Sequence, residues 1–238
     1  MNGMTRQVIH RVTSLDLHVE TWSWPFAAAR RAEILAHFAE LQRDKPKLWN
    51  GRILMGRHPV FAGGRLSASY FETDFASFLA WRDWGYPDKD VFNGFGMGAL
   101  RSADGAFVLG EMGQHTSTAG RIYFPSGTPD LDDISHGAVD ISASVARELE
   151  EETGLAPDQY RSEPDWHCVF TGPAMAMIRI LHVDMTGDAL RARIEANLAL
   201  QQLPELAAIH LVRGTRDLTA AMPGFVTAFI EAQLARQP

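Results

Sequence analysis

"VARELEEETGL", residues 145–155, sets Glu148, Glu150, Glu151 and Glu152 in one short stretch of a chain that is only 21% charged. The stretch closes a longer pattern, "DISASVARELEEETG", which reads as the strongest helix in the sequence. Asp140 can cap its start, because a short side-chain oxygen accepts from an otherwise orphan backbone N–H. Gly154 can end it, because glycine accepts the left-handed conformation of a helix stop at little cost. With Glu148 at zero and about 100° per residue, Glu152 lies near +40° and Glu151 near −60°. These three carboxylates share a face, and Glu150 points away into solvent. Ile141, Val145 and Leu149 fall at about +20°, +60° and +100° and form the apolar stripe.

Glu152 continues that stripe where a core residue is expected. A carboxylate on the buried side is costly unless something compensates it. Like charges at i,i+4 also repel, by about 0.2–0.5 kcal/mol. A divalent cation would turn the repulsion into a shared ligand set. Oxygen donors with no Cys/His cluster nearby favour Mg²⁺ or Mn²⁺ over Zn²⁺. Arg147 stands four residues before Glu151 and can pair with it. On charge alone, a solvated acidic helix end is the competing reading.

Outward from this helix the chain alternates strands and helices, which argues for an α/β layered domain. "QVIHRVTSLDLHV" (7–19) starts β-rich, and "PFAAARRAEILAHFAELQRDKP" (25–46) reads as a helix with Ile34, Leu35, Phe38 and Leu41 at helical spacing. "WNGRILMG" and "GRLSASYFE" read as two strands around a Gly-rich turn. "TDFASFLAWRDWG" reads as a helix capped by Thr73 and stopped by Gly85. "GYPDKDVFNGFG" (85–96) is rich in turn residues and marks the candidate boundary between residues 1–90 and 91–238. Beyond it, "SADG" between two apolar runs is a hairpin signal. "CVF", "MAMIRILHVDM" and "AAIHLVRG" supply further strands. "GDALRARIEANLALQQL" and "PGFVTAFIEAQLARQ" supply further helices.

The totals narrow the function classes. The chain has 238 residues, 46% of them hydrophobic, and a net charge of −7. That charge argues against a broad nucleic-acid footprint, which needs clustered Lys and Arg. It leaves a small phosphorylated ligand open, since a metal ion can invert the local field. Cys168, the only cysteine, excludes an intrachain disulfide. Its setting in "WHCVF" reads as a buried strand rather than a nucleophile. No apolar run reaches signal-peptide length at the start or the ~20 residues of a membrane span. The expectation is a soluble cytoplasmic protein with no membrane partner.

"RELEEETGL", Arg147 to Leu155, resembles the core of the Nudix box: Arg, Glu, apolar, any, Glu, Glu, any, Gly, apolar. Every specified position matches. Upstream, "YFPSGTP" resembles the strand end that opens the box. The resemblance implies an α/β/α sandwich with a mixed sheet, here carrying an N-terminal α/β extension over 1–90. It implies metal-dependent hydrolysis of the phosphoanhydride of a nucleoside diphosphate linked to a group X, with Mg²⁺ or Mn²⁺. Carried over by position, Glu151 and Glu152 are metal ligands. Glu148 binds metal or acts as general base, and Arg147 orients the carboxylates. The carbonyl of Ser126 stands at a ligand position. Glu205, in "LPELAAIHLV", is the candidate for a further metal ligand from a loop beyond the box.

The box is a variant. Where it ordinarily has a Glu eight residues before the Arg, this chain has Val139, and the loop 127–139 is lengthened by about six residues. Asp130, Asp132, Asp133 or His136 could stand in. The order "KPKLWNG", "YFETDFASFLAW", "FNGFGMGAL" is similar to the branch that includes UDP-glucose diphosphatases. That similarity implies a nucleotide-sugar substrate cleaved to a nucleoside monophosphate and a sugar 1-phosphate. ADP-ribose, coenzyme A derivatives and dinucleotides are the alternative substrates, and a non-catalytic nucleotide-binding module is the alternative role. The resemblance also allows a homodimer. For base stacking the chain offers Trp81, Trp84, Tyr86, Phe95 and Trp166; for phosphates, Arg101, Arg121 and Arg179. Asn50 and Asn93, in two "NG" pairs, read first as turn residues.

Overall fold

The computed structural model describes residues 8–236. Residues 1–7, which hold the first part of the N-terminus read as lacking a signal, lie outside it, as do the last two residues. In chain order the elements are β1 (Ile9–Val12), β2 (Ser14–Val19), α1 (Pro25–Ala29), α2 (Arg31–Asp44), β3 (Arg52–Ala62), β4 (Arg65–Asp74) and α3 (Phe75–Asp83). There follow β5 (Val91–Ser102), β6 (Phe107–Met112), β7 (Ile122–Tyr123), β8 (Ile134–Ser135), β9 (Ala138–Val139) and α4 (Ile141–Thr153). The chain closes with β10 (Arg161–Ser162), β11 (Trp166–Thr171), β12 (Ala174–Val183), α5 (Gly187–Leu198), β13 (Leu206–Val212) and α6 (Gly224–Leu234).

Strand β12 shows why the sheet carries helices on both faces. Met175, Met177 and Leu181 face one core with Val145 and Leu149 of α4 and Leu190 and Ile194 of α5. The alternating Ala176, Ile178 and Ile180 face a second core with Val226, Phe229 and Ile230 of α6. A strand buried on both faces needs apolar residues at nearly every position, as β12 has. The result is a mixed α/β/α sandwich. Each fully buried Leu, Ile or Phe contributes about 1.5–3 kcal/mol, so both helix layers are held firmly. A third core joins Ile34 and Phe38 of α2 and Phe78, Leu79 and Trp81 of α3 to Ile53, Met55 and Phe71 of β3 and β4.

Strand β5 joins the two parts of the sheet. One edge pairs in parallel with β12 from Asn93↔Ala174 to Ser102↔Val183. The other edge pairs with β3 only at Val91 and Phe92, and with β6 only at Leu100 and Arg101. Between these contacts β3 and β6 diverge. Segment 124–129 enters the gap, where Gly98 N–H donates to the Pro125 carbonyl at 3.1 Å and Leu54 N–H to that of Pro129 at 2.7 Å. This opening positions the site described below.

Several local expectations shift. The first long helix breaks at Arg30, and Leu35 faces solvent while Ile34 and Phe38 are buried. Asp74, not Thr73, caps α3, accepting from Ser77 N–H at 2.8 Å; Thr73 is held instead in the β4 ladder opposite Ile53. Within 85–96 only the first part turns, because β5 already begins at Val91. The last helix stops at Leu234, and the final residue of its expected span, Gln237, is not described. Among the described residues no helix is long and apolar enough to cross a membrane.

Candidate active site

Helix α4 sits where its caps and glycine neighbours put it. Asp140 accepts from Ala143 N–H at 2.9 Å, and Gly154 ends the helix at φ 71°. On β5, "GFGMG" turns bare backbone toward the helix. A Cβ at Gly96 would overlap Val145 and Ile141, and one at Gly98 would meet Leu181 and Val145. Removing those side chains lets the helix lie directly on the strand, which presents its carboxylate edge to the opening beside β5.

The three glutamates of that edge do not share one environment. Glu152 is 3% exposed. Its Oε1 accepts from Ser126 N–H at 3.3 Å, and its Oε2 is buried with no partner. Burial, reinforced by Glu205 and Glu148, pushes its carboxyl well above the usual carboxylate range. Glu148 is held up to about 7, first by burial, with Glu151, Glu205 and Asp133 adding to it and Arg147 opposing it. Glu205, immediately before β13, is raised by burial and lowered in part by His115. Glu151 differs, with a side chain 61% exposed and 3.9 Å from Arg147. Glu150 is exposed, as its helical phase requires.

A chain does not bury negative charges together without compensation. The donors are all oxygens, and one buried oxygen is orphaned. That chemistry fits a hard divalent cation. Among the described residues no three His, Cys, Asp or Glu side chains already form a closed ligand set. Of the three glutamates on the helix edge, Glu151 is the one that faces solvent.

Of the four candidates in the lengthened loop, Asp133 is the one that reaches Arg147. Both oxygens of Asp133 accept from Arg147 Nη2 at 3.1 Å, and Arg147 Nη1 donates to Glu148 Oε1 at 2.9 Å. Burial works against the Arg147 charge, but Asp133, Glu148 and Asp130 hold the guanidinium above its ordinary range. Asp130 caps the short 3₁₀ turn Leu131–Asp133 and so aims Asp133 inward. Asp132 and His136 are exposed, His136 in a turn at φ 51°. Val139 is buried in the main core beside Leu17 and Ile141.

A cavity of about 920 Å³ opens where β3 and β6 diverge. Asn93, Phe95 and Met97 of β5 line it, as do Ser126, Gly127 and Thr128 of the inserted segment and Glu148 and Glu205. Lys47, Leu48, Trp49, Phe75, Phe78, Arg82 and Tyr86 line it from the N-terminal region. His115 and Arg121 reach it from the loop after β6. Lys45 Nζ ties that loop to the end of α2 by donating to the Thr116 carbonyl. A Cβ at Gly127 would overlap the Glu148 carboxylate, so a bare backbone is required there.

The structure separates the other candidates. Trp166 is buried away from the cavity, Trp81 lines it but is fully buried in the third core, and Trp84 packs against Phe26, His37 and Arg30. Tyr86 and Phe95 do reach the cavity. Arg101 lies over Phe107 and Arg179 over Trp166, whereas Arg121 lines the cavity. Asn50 is structural, accepting from Ala76 N–H at 2.7 Å at the start of α3. Asn93 is not a turn residue: it lies within β5, and its Oδ1 is buried without a partner. Cys168 is buried, and burial pushes its thiol up to about 12, far from a nucleophile. Sequence reasoning missed Trp49 and His115, whose only sequence signal was their polar, turn-rich setting.

An α/β/α layer with an acidic helix edge at a sheet opening is the class of architecture the coordinates define. The chain is similar in structure to Nudix proteins. One is the Nudix hydrolase RenU from M. smegmatis, at 12% identity over 61% of this chain and 86% of that one, with a TM-score of 0.38. Another is the MutT protein from Methanosarcina mazei, at 15% identity over 61% and 96%, with a TM-score of 0.39. A third is a bifunctional NMN adenylyltransferase/ADP ribose pyrophosphatase from Francisella tularensis, at 16% identity over 67% and 45%, with a TM-score of 0.42. No protein-family model and no curated protein matches the chain. The structural likenesses are too shallow to carry function, which rests on the residues of the site.

Proposed function

We propose that this protein hydrolyses the phosphoanhydride bond of a nucleoside diphosphate linked to a sugar, with Mg²⁺ or Mn²⁺. The observation that supports it is the orphaned, buried Glu152 carboxylate beside Glu148 and Glu205, which themselves line a cavity of about 920 Å³. Glu151, Glu152 and Glu205, with the Ser126 carbonyl, would hold the cation, which leaves Glu148 for the attacking water. When bound, the cation would neutralise the pyrophosphate and acidify a water.

The chain's own groups supply the rest. Arg147, fixed by Asp133, holds Glu148 in one orientation. Glu148 then accepts the proton of the attacking water as its oxygen approaches phosphorus in line, and the released phosphate carries the bonding electrons away. Arg121 and Lys47 line the same cavity and offer positive charge to the phosphates. Most of the acceleration comes from positioning and charge stabilisation. A sugar as X is supported by the similarity of the N-terminal segments to the UDP-glucose diphosphatase branch. The partnerless Asn93 Oδ1 and Thr171 Oγ1 on the cavity wall also support it, as partners for hydroxyl groups.

The test is turnover of UDP-, ADP- and GDP-sugars, ADP-ribose, coenzyme A and dinucleotides with Mg²⁺ or Mn²⁺. Release of nucleoside monophosphate and sugar 1-phosphate is expected. Turnover confined to coenzyme A or dinucleotides overturns the sugar assignment. Nucleotide binding without any turnover favours the non-catalytic module.

A further inference from the structure

The aromatic side chain best placed to receive a planar group is one that the helix and strand patterns do not mark. Trp49 is 79% exposed, and it lines the same cavity as Glu148 and Glu205. An exposed tryptophan on a cavity wall offers a large, rigid aromatic surface to whatever enters it. Its position is not accidental slack in a loop. The indole lies against Gly51, where a Cβ would overlap its ring carbons, so only glycine leaves room for it. The neighbouring Asn50 is fixed by its bond to Ala76 N–H, and the Gly51 carbonyl accepts from Phe75 N–H at 2.9 Å. Gln42 Nε2 donates to the Leu48 carbonyl at 2.9 Å. The backbone on both sides of Trp49 is therefore anchored. The six-membered ring of the indole packs against the bare backbone of Gly51, and the side chain remains open to the cavity.

The geometry points to Trp49 as the platform on which the nucleobase of the substrate stacks, with Gly51 as its seat. The inference rests on the nucleotide reading above and adds which end of the substrate the N-terminal region holds. A base, rather than a sugar, suits this wall. A sugar needs several hydrogen-bond partners, and the partnerless Asn93 and Thr171 lie together elsewhere on the cavity, both in register with Ala174. The N-terminal lining that includes Trp49 is mostly apolar, with Leu48, Phe75 and Phe78. Its charged groups, Lys47 and Arg82, are cations that suit a phosphate better than a set of sugar hydroxyls. Base stacking on an aromatic side chain tolerates any base, because every base has a π-face. This platform therefore predicts affinity for nucleotides as a class and leaves the choice of base to other contacts.

The test uses the full chain, the wild type and the Trp49→Ala and Trp49→Phe variants. Calorimetry with Mn²⁺ measures binding of UMP, AMP, ribose 5-phosphate and glucose 1-phosphate. Thermal melting checks the fold, which an exposed side chain should leave unchanged. The expected result is that Trp49→Ala weakens UMP and AMP by about tenfold or more, Trp49→Phe recovers much of the loss, and ribose 5-phosphate is unaffected. Equal nucleotide affinity in the wild type and Trp49→Ala overturns the platform. So does a loss shared by ribose 5-phosphate, a loss confined to glucose 1-phosphate, or failure of the wild type to bind any nucleotide. Wild-type hydrolysis that is insensitive to Trp49→Ala sinks the platform and leaves the hydrolase reading standing. Trp49-dependent nucleotide binding with no hydrolysis does the reverse.

Discussion

Asp133 places both carboxylate oxygens 3.1 Å from Arg147 Nη2, although the two residues belong to an inserted loop and to the acidic helix. The Asp133 side chain is only 2% exposed, and Arg147 passes the contact on to Glu148 at 2.9 Å. Asp133 is thus a positioning residue acting through Arg147. Asp133→Asn keeps the shape and removes the charge. It should lower kcat by about 10–100-fold, the usual cost of losing a group that orients a ligand, with a smaller change in KM. Denaturant unfolding should show a loss of about 1–3 kcal/mol. Unchanged kcat in a folded variant would contradict this role.

Val139 provides the companion test. It occupies the position where the resembled motif has a glutamate, but it is packed among Leu17, Ile134 and Ile141. Val139→Glu should therefore destabilise the fold by about 3 kcal/mol or more, because it buries a charge with no partner. It should not rescue Asp133→Ala, since Val139 points into the core. Recovery of activity in the double variant would show that the loop does not do the work assigned to it.

Gly127 backs directly onto the Glu148 carboxylate, whose Oε1 also accepts from Arg147. Gly127→Ala adds a methyl group in the space that Glu148 occupies. Displacement of a reacting group by about 1 Å can cost on the order of 100-fold in rate. That loss of kcat/KM is expected, with a melting temperature within a few degrees of wild type. A folded variant at full activity would show that Glu148 works from another position.

Glu152 is buried with one oxygen orphaned, and that burial disfavours its charged form, so without a cation the site costs the fold stability. Glu152→Gln removes the charge and keeps the shape. Without metal at pH 8 the variant should melt higher than wild type, by on the order of 2–4 °C for each kcal/mol relieved. Adding Mn²⁺ should raise the wild-type melting temperature, because a ligand that binds only the folded state stabilises it. The variant should respond far less. An identical Mn²⁺ response in both proteins would remove Glu152 from the ligand set.

The parts of this site written into local sequence were legible there. The cap at Asp140, the stop at Gly154, the apolar stripe of α4 and the outward phase of Glu150 all follow from helical geometry. So did the inward turn of Glu152, which broke the pattern of its own stripe. What was not legible depends on three-dimensional closure. Nothing in "TPDLDDISHGA" distinguishes Asp133 from Asp130 or Asp132 until a 3₁₀ turn aims one of them at Arg147. Glu151 shares a helix face with Glu148, yet Gly127 and Arg147 close over one and the other is left in solvent. Asn93 looked like half of a turn pair, and only its pairing with Ala174 shows it to be strand. Trp49 carries no periodicity at all, and its seat on Gly51 exists only once α3 has folded against the loop.

The most direct test is steady-state hydrolysis of a nucleoside diphosphate sugar, followed by release of sugar 1-phosphate, for wild type and Glu152→Gln with and without Mn²⁺. The expected result is turnover by the wild type only when Mn²⁺ is present, and a loss of at least about 100-fold in the folded variant. Wild-type turnover that persists without any divalent cation, or that survives Glu152→Gln at full rate, would contradict the assignment of these carboxylates.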